Sequence, residues 1–122
     1  GIQDSVTIES GMPFSDLAQL FRSADLSIYP SLYEGQGLIP LESMASGTPC
    51  ATVNDGPLPE MVDETVGGLF EVGNPASLAE TVNNLLGNPD IIPELVANGR
   101  KRVAEEYTYR LNAEKYANFY SE

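Results

Sequence analysis

Two glutamates in the central third of the chain, Glu34 and Glu42, have side chains that could hold the hydroxyl groups of one ligand. They flank a loop that contains Gly35 and Gly37 and joins a strand-like run to a segment with helical spacing. Carboxylates accept hydrogen bonds from sugar hydroxyls, and loops at the carboxyl ends of strands face the ligand crevice in α/β proteins. We therefore expect both carboxylates to reach the same crevice.

The helix predicted after Gly37 offers a site for an anion. Pro40 is expected in its first turn, where proline is well tolerated. The free N–H groups at the start of a helix favour a phosphate, and glycines let a ligand approach the backbone closely. The N–H groups in question belong to Leu38, Ile39 and Leu41. A phosphate bound between two hydroxyl-binding carboxylates implies a nucleotide sugar.

The same residues also have a simpler interpretation. Twelve residues are glutamate, and three pairs of them lie eight positions apart, so the spacing of Glu34 and Glu42 alone decides nothing. Glu42 is expected in the first turn of this helix, where it can simply complement the helix dipole. Gly35 and Gly37 can simply form a tight turn. On these physical grounds, the anion site and the plain turn both remain open.

Elements that could position these residues alternate along the chain. Apolar or β-branched runs predict strands, and segments with helical spacing separate them. The alternation indicates an α/β fold with a mostly parallel sheet. The predicted strands are Val6–Ile8, Leu26–Tyr29, Cys50–Val53 and Gly68–Val72.

Helices are predicted from apolar spacing and from capping residues. The first runs from Phe14 to about Ser23. The second has Asn74 as N-cap, Pro75 at its first position and Gly87 as C-cap. A third covers Ile91–Glu106 with an interruption near Asn98-Gly99, and Thr108 caps a last helix whose aromatic residues are expected in the core. Those aromatic residues are Tyr116, Phe119 and Tyr120.

Composition excludes several classes of function. The 122 residues suffice for one domain, and 6 cationic against 18 acidic residues give a net charge of −12, which argues against nucleic-acid or anionic-membrane binding. The absence of histidine and the single Cys50 exclude a histidine-based acid/base pair, a Cys/His zinc site and an intramolecular disulfide. The pattern is typical of a cytoplasmic protein without a transmembrane segment. An ordinary acidic surface and a halophilic source are both compatible with the charge.

Three segments carry a resemblance to a known family. They read PSLYEGQGLIPLESMASGTPC, NDGPLPEMV and GGLFEVGNPASLAETVNNLL. Together they resemble the second half of the donor-binding domain of retaining GT-B glycosyltransferases of family 4, and the likeness covers nearly the whole chain. The resemblance implies a partial Rossmann-like, doubly wound parallel sheet with a helical C-terminus.

The resemblance also implies roles for individual residues. Glu34 matches the catalytic-site glutamate that contacts the donor-sugar hydroxyls and complements positive charge developing near the sugar ring. Glu42 matches the glutamate that holds the ribose hydroxyls. The loop glycine Gly35 and the amides of Gly37, Leu38 and Ile39 match the segment that approaches the sugar and the diphosphate. The position of Gln36 is more often aromatic or apolar in the family.

Weaker matches extend this predicted donor site. Ser10 and Gly11 match a loop that often lines the nucleobase. Ser31 belongs to the Pro-Ser pair with which a strand of the family pattern ends, and Gly56 could lie near the sugar. We expect Glu60 to have a structural role, capping a neighbouring N–H group. The aromatic pair Tyr107 and Tyr109 is expected to pack against the core.

The resemblance implies a glycosyltransferase that moves a sugar from a nucleotide-diphosphate sugar to an acceptor hydroxyl with retention, without a metal or other cofactor. The alternative is a non-catalytic α/β module that binds a nucleotide or a protein. The family's acceptor domain, the first strands of its donor domain and its Arg/Lys pair for the diphosphate have no counterpart in these residues, where Arg22 alone is expected near the crevice. We therefore expect a fragment that is inactive by itself.

The strand order of such a sheet, 3-2-1-4-5-6, has a consequence for Val6–Ile8. This segment would be strand three, and its neighbours in the sheet are absent from the sequence. Its backbone groups, and those at the open edge of strand four, would be left unpaired. We therefore expect the isolated chain to self-associate, by re-pairing its strands or by swapping them with a second copy, or to leave Val6–Ile8 poorly ordered.

Overall fold

The computed structural model describes residues 1–33, 35 and 37–121, which form a parallel three-stranded sheet with helices on both faces. The strands are β1 (Ser27–Tyr29), β2 (Cys50–Val53) and β3 (Gly67–Phe70), in the order β1-β2-β3. Ser27 pairs with Cys50, and Ala51 pairs with Gly68. The predicted parallel α/β class is confirmed.

In the described part of the chain, six α-helices precede, connect or follow these strands, and short 3₁₀ helices lie at Gln3–Ser5 and Pro89–Ile91. The α-helices are α1 (Phe14–Ser23), α2 (Leu38–Ser46), α3 (Leu58–Met61), α4 (Pro75–Leu86), α5 (Ile92–Glu106) and α6 (Tyr109–Ser121). Two predicted caps are confirmed. Asn74 Oδ1 accepts a hydrogen bond from the Ser77 N–H at 3.0 Å, and Thr108 Oγ1 accepts one from the Leu111 N–H at 3.3 Å.

The core consists of two hydrophobic clusters, one on each face of the sheet. Phe70 belongs to the cluster that includes Leu85 of α4 and Leu95 of α5, whereas its neighbour Leu69 packs against the cluster around Met44 of α2 and Met61 of α3. Successive residues of a strand point to opposite faces, so β3 contributes to both clusters. All four residues of the central strand β2 are buried. Such a strand reads as a continuous apolar run, which is why it was predictable.

The prediction of a strand at Val6–Ile8 is wrong. Two of its residues, Val6 and Ile8, are exposed, and the segment pairs with no strand in the described part of the chain. A parallel strand is stable only where a neighbour completes its hydrogen bonds. Within the described residues, no strand occupies the neighbouring position that the 3-2-1-4-5-6 order requires, so the segment pairs with no strand there.

The predicted interruption of α5 at Asn98-Gly99 is also wrong. The helix is continuous through Gly99, which is buried, and a Cβ atom at that position would lie 3.3 Å from the Met44 Cβ of α2. Glycine inside a helix costs about 1 kcal/mol relative to alanine. Here its missing side chain allows α5 to approach α2 closely, so the glycine serves packing and does not end the helix.

The last helix, α6, does not contribute to the core. None of its described residues is buried, and Phe119 is 71% exposed. The expectation that Tyr116, Phe119 and Tyr120 form core is therefore wrong for this chain. Apolar spacing predicts the helix correctly, but burial also requires a partner surface.

No helix of the described residues combines the length and the apolar character needed to cross a membrane.

Candidate functional site

Helix α2 follows the carboxyl end of β1, and hydrogen bonds hold its second half beside the amino end of that strand. Gly37 precedes it with a φ of 76°, a left-handed conformation that glycine adopts without steric cost. Ser43 of α2 is buried, its hydroxyl lies 2.6 Å from the Ser27 hydroxyl of β1, and it donates to the Thr48 carbonyl at 2.9 Å. These contacts fix the direction in which the start of α2 points.

The N-terminus of α2 has the features expected of an anion site. No side chain of the described residues caps it, and its first turn contains no acidic residue. Leu38 and Ile39, whose amides were predicted to approach a diphosphate, lie in that first turn and are partly exposed. The free N–H groups of this turn are therefore available to a ligand.

Glu42 lies one turn further along the helix than predicted. Because α2 begins at Leu38, Glu42 is its fifth residue and belongs to the second turn. Its interpretation as an ordinary dipole-complementing residue of the first turn is therefore weakened. The residue is half-buried, and its side chain faces a crevice between α1 and α2.

This crevice has a volume of about 510 Å³, within the range of small-ligand sites. One wall is apolar and comes from α1, and the other comes from α2 with a contribution from α5. The lining residues are Phe14, Leu17, Ala18, Phe21, Arg22, Glu42, Ala45, Ser46 and Arg100. An aromatic and aliphatic wall opposite a carboxylate suits a ligand with a flat apolar part and hydroxyl groups.

Two arginines line the same crevice as Glu42. Arg22 was the expected cation, whereas Arg100 of α5 is an addition that the sequence did not predict. Arg100 Nη2 donates to the Ser46 carbonyl at 3.4 Å. Among the described residues, the ion pairs involve Arg102 and Arg110, and none involves the two crevice arginines. The crevice therefore carries positive charge that can attract an anionic ligand in a chain of net charge −12.

Glu34 and Gln36 lie outside the described residues. The predicted pairing of Glu34 with Glu42 around one ligand thus stays a prediction. Gly35, which stands between the two undescribed positions, is exposed.

The weaker candidates follow the carboxyl ends of two strands or precede α1. Ser31 follows β1 and donates its hydroxyl to the Tyr33 carbonyl at 2.8 Å. Gly56 follows β2 and has a φ of 57°. Ser10 and Gly11 are exposed and lie just before α1, whose Phe14 lines the crevice. Ser31 and Gly56 therefore lie at the sheet edge where α/β proteins bind ligands, but their roles stay predictions.

The predicted role of the Glu60 side chain, capping a neighbouring N–H group, is wrong. Within the described residues, nothing hydrogen-bonds to its exposed carboxylate, whereas its backbone carbonyl accepts a hydrogen bond from the Tyr107 hydroxyl at 3.3 Å. The two residues of the aromatic pair, Tyr107 and Tyr109, differ in burial. Tyr107 packs against the cluster around Met44 and Met61 as expected, but Tyr109 is 91% exposed, so the expectation of packing is wrong for that residue.

Cys50 is not a candidate nucleophile. It is fully buried in β2, and this burial raises the pKa of its thiol to about 11. The reactive thiolate form is therefore scarce at neutral pH. Within the described residues, no group of three or more His, Cys, Asp and Glu side chains could hold a metal ion.

Comparison with known proteins identifies the family. The model of the group 1 glycosyl transferases matches residues 1–102. The chain belongs to this family. It is 38% identical over 112 residues to the MMP alpha-(1->4)-mannosyltransferase of Mycolicibacterium hassiacum, covering 90% of this chain and 27% of that enzyme.

Solved structures agree with this assignment. Sucrose-phosphate synthase from Thermosynechococcus elongatus superposes with a TM-score of 0.89 at 29% identity, over 98% of this chain and 30% of that one. Anabaena HepE in complex with UDP superposes with a TM-score of 0.78 at 22% identity, over 88% of this chain and 30% of that one. The fold of this chain matches part of the GT-B fold, and the chain spans about 30% of the length of these relatives.

Proposed function

We propose that this chain is the donor-binding part of a retaining glycosyltransferase and binds the nucleoside diphosphate of a nucleotide sugar in the crevice between α1 and α2. The observation that carries the proposal is the position of Glu42, half-buried in that crevice and one turn from the uncapped start of α2. A carboxylate accepts ribose hydroxyls, and helix N–H groups bind phosphate oxygens, so one nucleotide can use both.

The described residues have distinct roles in this proposal. Glu42 holds the ribose, and the apolar wall of Phe14 and Leu17 contacts the flat base. The amides of Leu38 and Ile39 steady the diphosphate as it leaves with its negative charge. Arg22 and Arg100 raise the positive potential along the crevice. The N–H groups and charges are already in place before the reaction, so they stabilise the leaving group without reorganisation.

In the proposed reaction the bond between the sugar's anomeric carbon and the diphosphate breaks, and the oxygen of an acceptor hydroxyl bonds to the same carbon with retained configuration while its proton passes to the departing diphosphate. Glu34 is proposed to orient the sugar and to complement the positive charge on its ring. Transfer requires an acceptor-binding part, which the longer relatives have room for. The proposal includes no metal and no other cofactor, and it places the reaction in the cytoplasm. HepE, solved with UDP, gives a precedent for a nucleotide on this fold.

The proposal is tested by titrating the chain with UDP, GDP and ADP and with UDP-glucose, GDP-mannose and ADP-glucose, by calorimetry and by thermal shift. A ligand at a hundred times its dissociation constant stabilises the native state by about 2.7 kcal/mol. We expect Glu42→Ala to weaken the binding of the preferred nucleotide about 10- to 100-fold, because a hydrogen bond to a charged group contributes about 1.5–3 kcal/mol.

Glu80→Ala is the matched control, because Glu80 is an exposed glutamate of α4 outside the lining of the crevice. It should leave nucleotide affinity unchanged. Binding that survives Glu42→Ala at full strength would contradict the crevice assignment. A chain that binds none of the six compounds would contradict the proposed function.

A further inference from the structure

A guanidinium group fastens the end of α3 to α5. Arg102 Nη1 donates to the Met61 carbonyl at 3.0 Å, and Nη2 donates to Asp63 Oδ2 at 3.1 Å and to Thr65 Oγ1 at 3.1 Å. The Arg102 side chain is only 19% exposed. A partly buried guanidinium with three acceptors on one short segment holds that segment in a single place.

Asp63 and Thr65, which accept hydrogen bonds from Arg102, are also hydrogen-bonded to each other. Asp63 Oδ1 accepts hydrogen bonds from the Thr65 N–H at 2.9 Å and from the Thr65 hydroxyl at 2.5 Å. Partial burial by itself would raise the pKa of Asp63, but the hydrogen bonds from Thr65 and Arg102 outweigh it and lower the pKa below its ordinary value. Asp63 therefore keeps its negative charge at neutral pH and stays paired with Arg102.

A second residue after α5 holds the same end of α3. The Tyr107 hydroxyl donates to the Glu60 carbonyl at 3.3 Å, next to the Met61 carbonyl that Arg102 holds. Burial, with a contribution from Glu106, raises the pKa of the Tyr107 phenol, so the hydroxyl stays protonated as a donor. Two consecutive carbonyls at the end of α3 are thus bound by donors that lie more than forty positions away in the sequence.

The other end of α3 carries the turn at Asp55, Gly56 and Pro57, directly after β2. Helix α3 has only four residues, too few to be stable by itself. Its position depends on the burial of Leu58 and Met61 and on the hydrogen bonds at its carboxyl end. Because the helix is so short, the contacts that hold its carboxyl end also determine where the turn before its amino end lies at the carboxyl edge of the sheet.

We propose that Arg102 and Tyr107 are positioning residues for the donor sugar: they hold α3 so that the turn around Gly56 lies against the sugar at the edge of the sheet. The inference rests on the proposed function and deepens it. It divides the donor site into two parts, with α2 and the crevice binding the nucleoside diphosphate and the turn of α3 binding the sugar. Loss of the hydrogen bonds made by Arg102 or by Tyr107 should therefore reduce the contribution of the sugar to the binding free energy and leave the contribution of the nucleotide unchanged.

The test compares the affinity for a nucleoside diphosphate with that for its sugar conjugate, using whichever of UDP/UDP-glucose, GDP/GDP-mannose and ADP/ADP-glucose binds most tightly. The variants are Arg102→Gln, which shortens the side chain and removes the guanidinium, and Tyr107→Phe, which removes only the hydroxyl. If the turn is correctly placed only about one-tenth of the time in Arg102→Gln, affinity for the sugar conjugate falls about tenfold. Affinity for the plain diphosphate should change less than twofold, and Tyr107→Phe should show a smaller change of the same kind.

Arg110→Gln is the matched control. Arg110 also pairs with an acid, Glu114 at 2.8 Å, but its side chain is 74% exposed on α6. This variant should leave both affinities unchanged. A loss in Arg102→Gln that is equal for the two ligands, or no loss at all, would overturn the positioning role, because general destabilisation does not select for the sugar.

Amide hydrogen exchange distinguishes a failure of the positioning role from a failure of the proposed nucleotide binding. In Arg102→Gln, the amides of Leu58, Glu60 and Met61 should exchange at least about tenfold faster, and those of α2 should not change. If the unmodified chain binds no nucleotide, the proposed function fails and the donor role of this contact fails with it. Unchanged exchange of the α3 amides in both variants would overturn the contact itself, whatever the chain binds.

Discussion

Helices α5 and α6 follow one another at the end of the chain, and they have similar lengths of 15 and 13 residues. Each carries one arginine that pairs with an acid. Yet α5 buries Leu95 and Gly99, whereas α6 buries none of its described residues. The difference teaches that apolar spacing makes a helix able to pack, but only a complementary surface makes it do so.

The largest effect should come from breaking the contact between α2 and α5. Met44 is almost fully buried beside Gly99, so Met44→Ala removes apolar contacts and leaves a cavity. We expect the free energy of unfolding to fall by about 2–5 kcal/mol. Phe119→Ala on α6 should change it by less than about 0.5 kcal/mol, because that ring is mostly exposed. Urea denaturation measures both, and equal losses would contradict the comparison.

An intermediate effect should come from filling the space at Gly99. Gly99→Val places a branched side chain where a Cβ atom alone already lies 3.3 Å from the Met44 Cβ. We expect overpacking to cost about 1–3 kcal/mol of unfolding free energy. Ala117→Val on α6 is the counterpart, because Ala117 is exposed and has room for the larger side chain. A stabilised Gly99→Val protein would show that α2 and α5 can separate without cost.

The smallest effect should distinguish the two ion pairs. The pKa of Asp63 is below its ordinary 3.8, so its carboxylate stabilises the folded state above that pH, and this stabilisation is lost as the pH falls through the lowered pKa. The difference in unfolding free energy between the unmodified chain and Asp63→Asn should therefore stay constant well above pH 3.8 and shrink as the pH falls below 3.8. Because Asp63 is partly exposed, the difference should stay below about 1 kcal/mol.

Glu114→Gln gives the reference for this measurement. An exposed pair four residues apart on a helix contributes about 0.3–0.5 kcal/mol. The variant should therefore lower the free energy of unfolding by no more than that amount. A larger loss than in Asp63→Asn at about pH 6 would reverse the proposed order of the two pairs.

Features that depend on near neighbours in the sequence were predictable. Asn74 with Pro75 marks the start of α4, and Thr108 marks the start of α6, because a cap acts on an N–H group three residues away. The apolar run of β2 predicted a buried strand. The loop of Gly37 before α2 predicted the uncapped helix start, although the helix boundary moved Glu42 into the second turn.

Other features became visible only in the folded chain. Arg100 reaches the crevice although it lies 54 positions after Ser46, and Arg102 contacts Asp63 across 39 positions. No local spacing signals such contacts. Val6–Ile8 has the composition of a strand and Phe119 has that of core, yet neither has a partner surface in the described part of the chain.

The sequence by itself determined the alternation of strands and helices, the caps and the glycine loop before α2, because these depend on propensities and hydrogen bonds within a few residues. Tertiary structure decided which apolar segments are buried and which cations face the crevice of Glu42. Burial and pairing are properties of two surfaces, and the second surface lies far away in the chain.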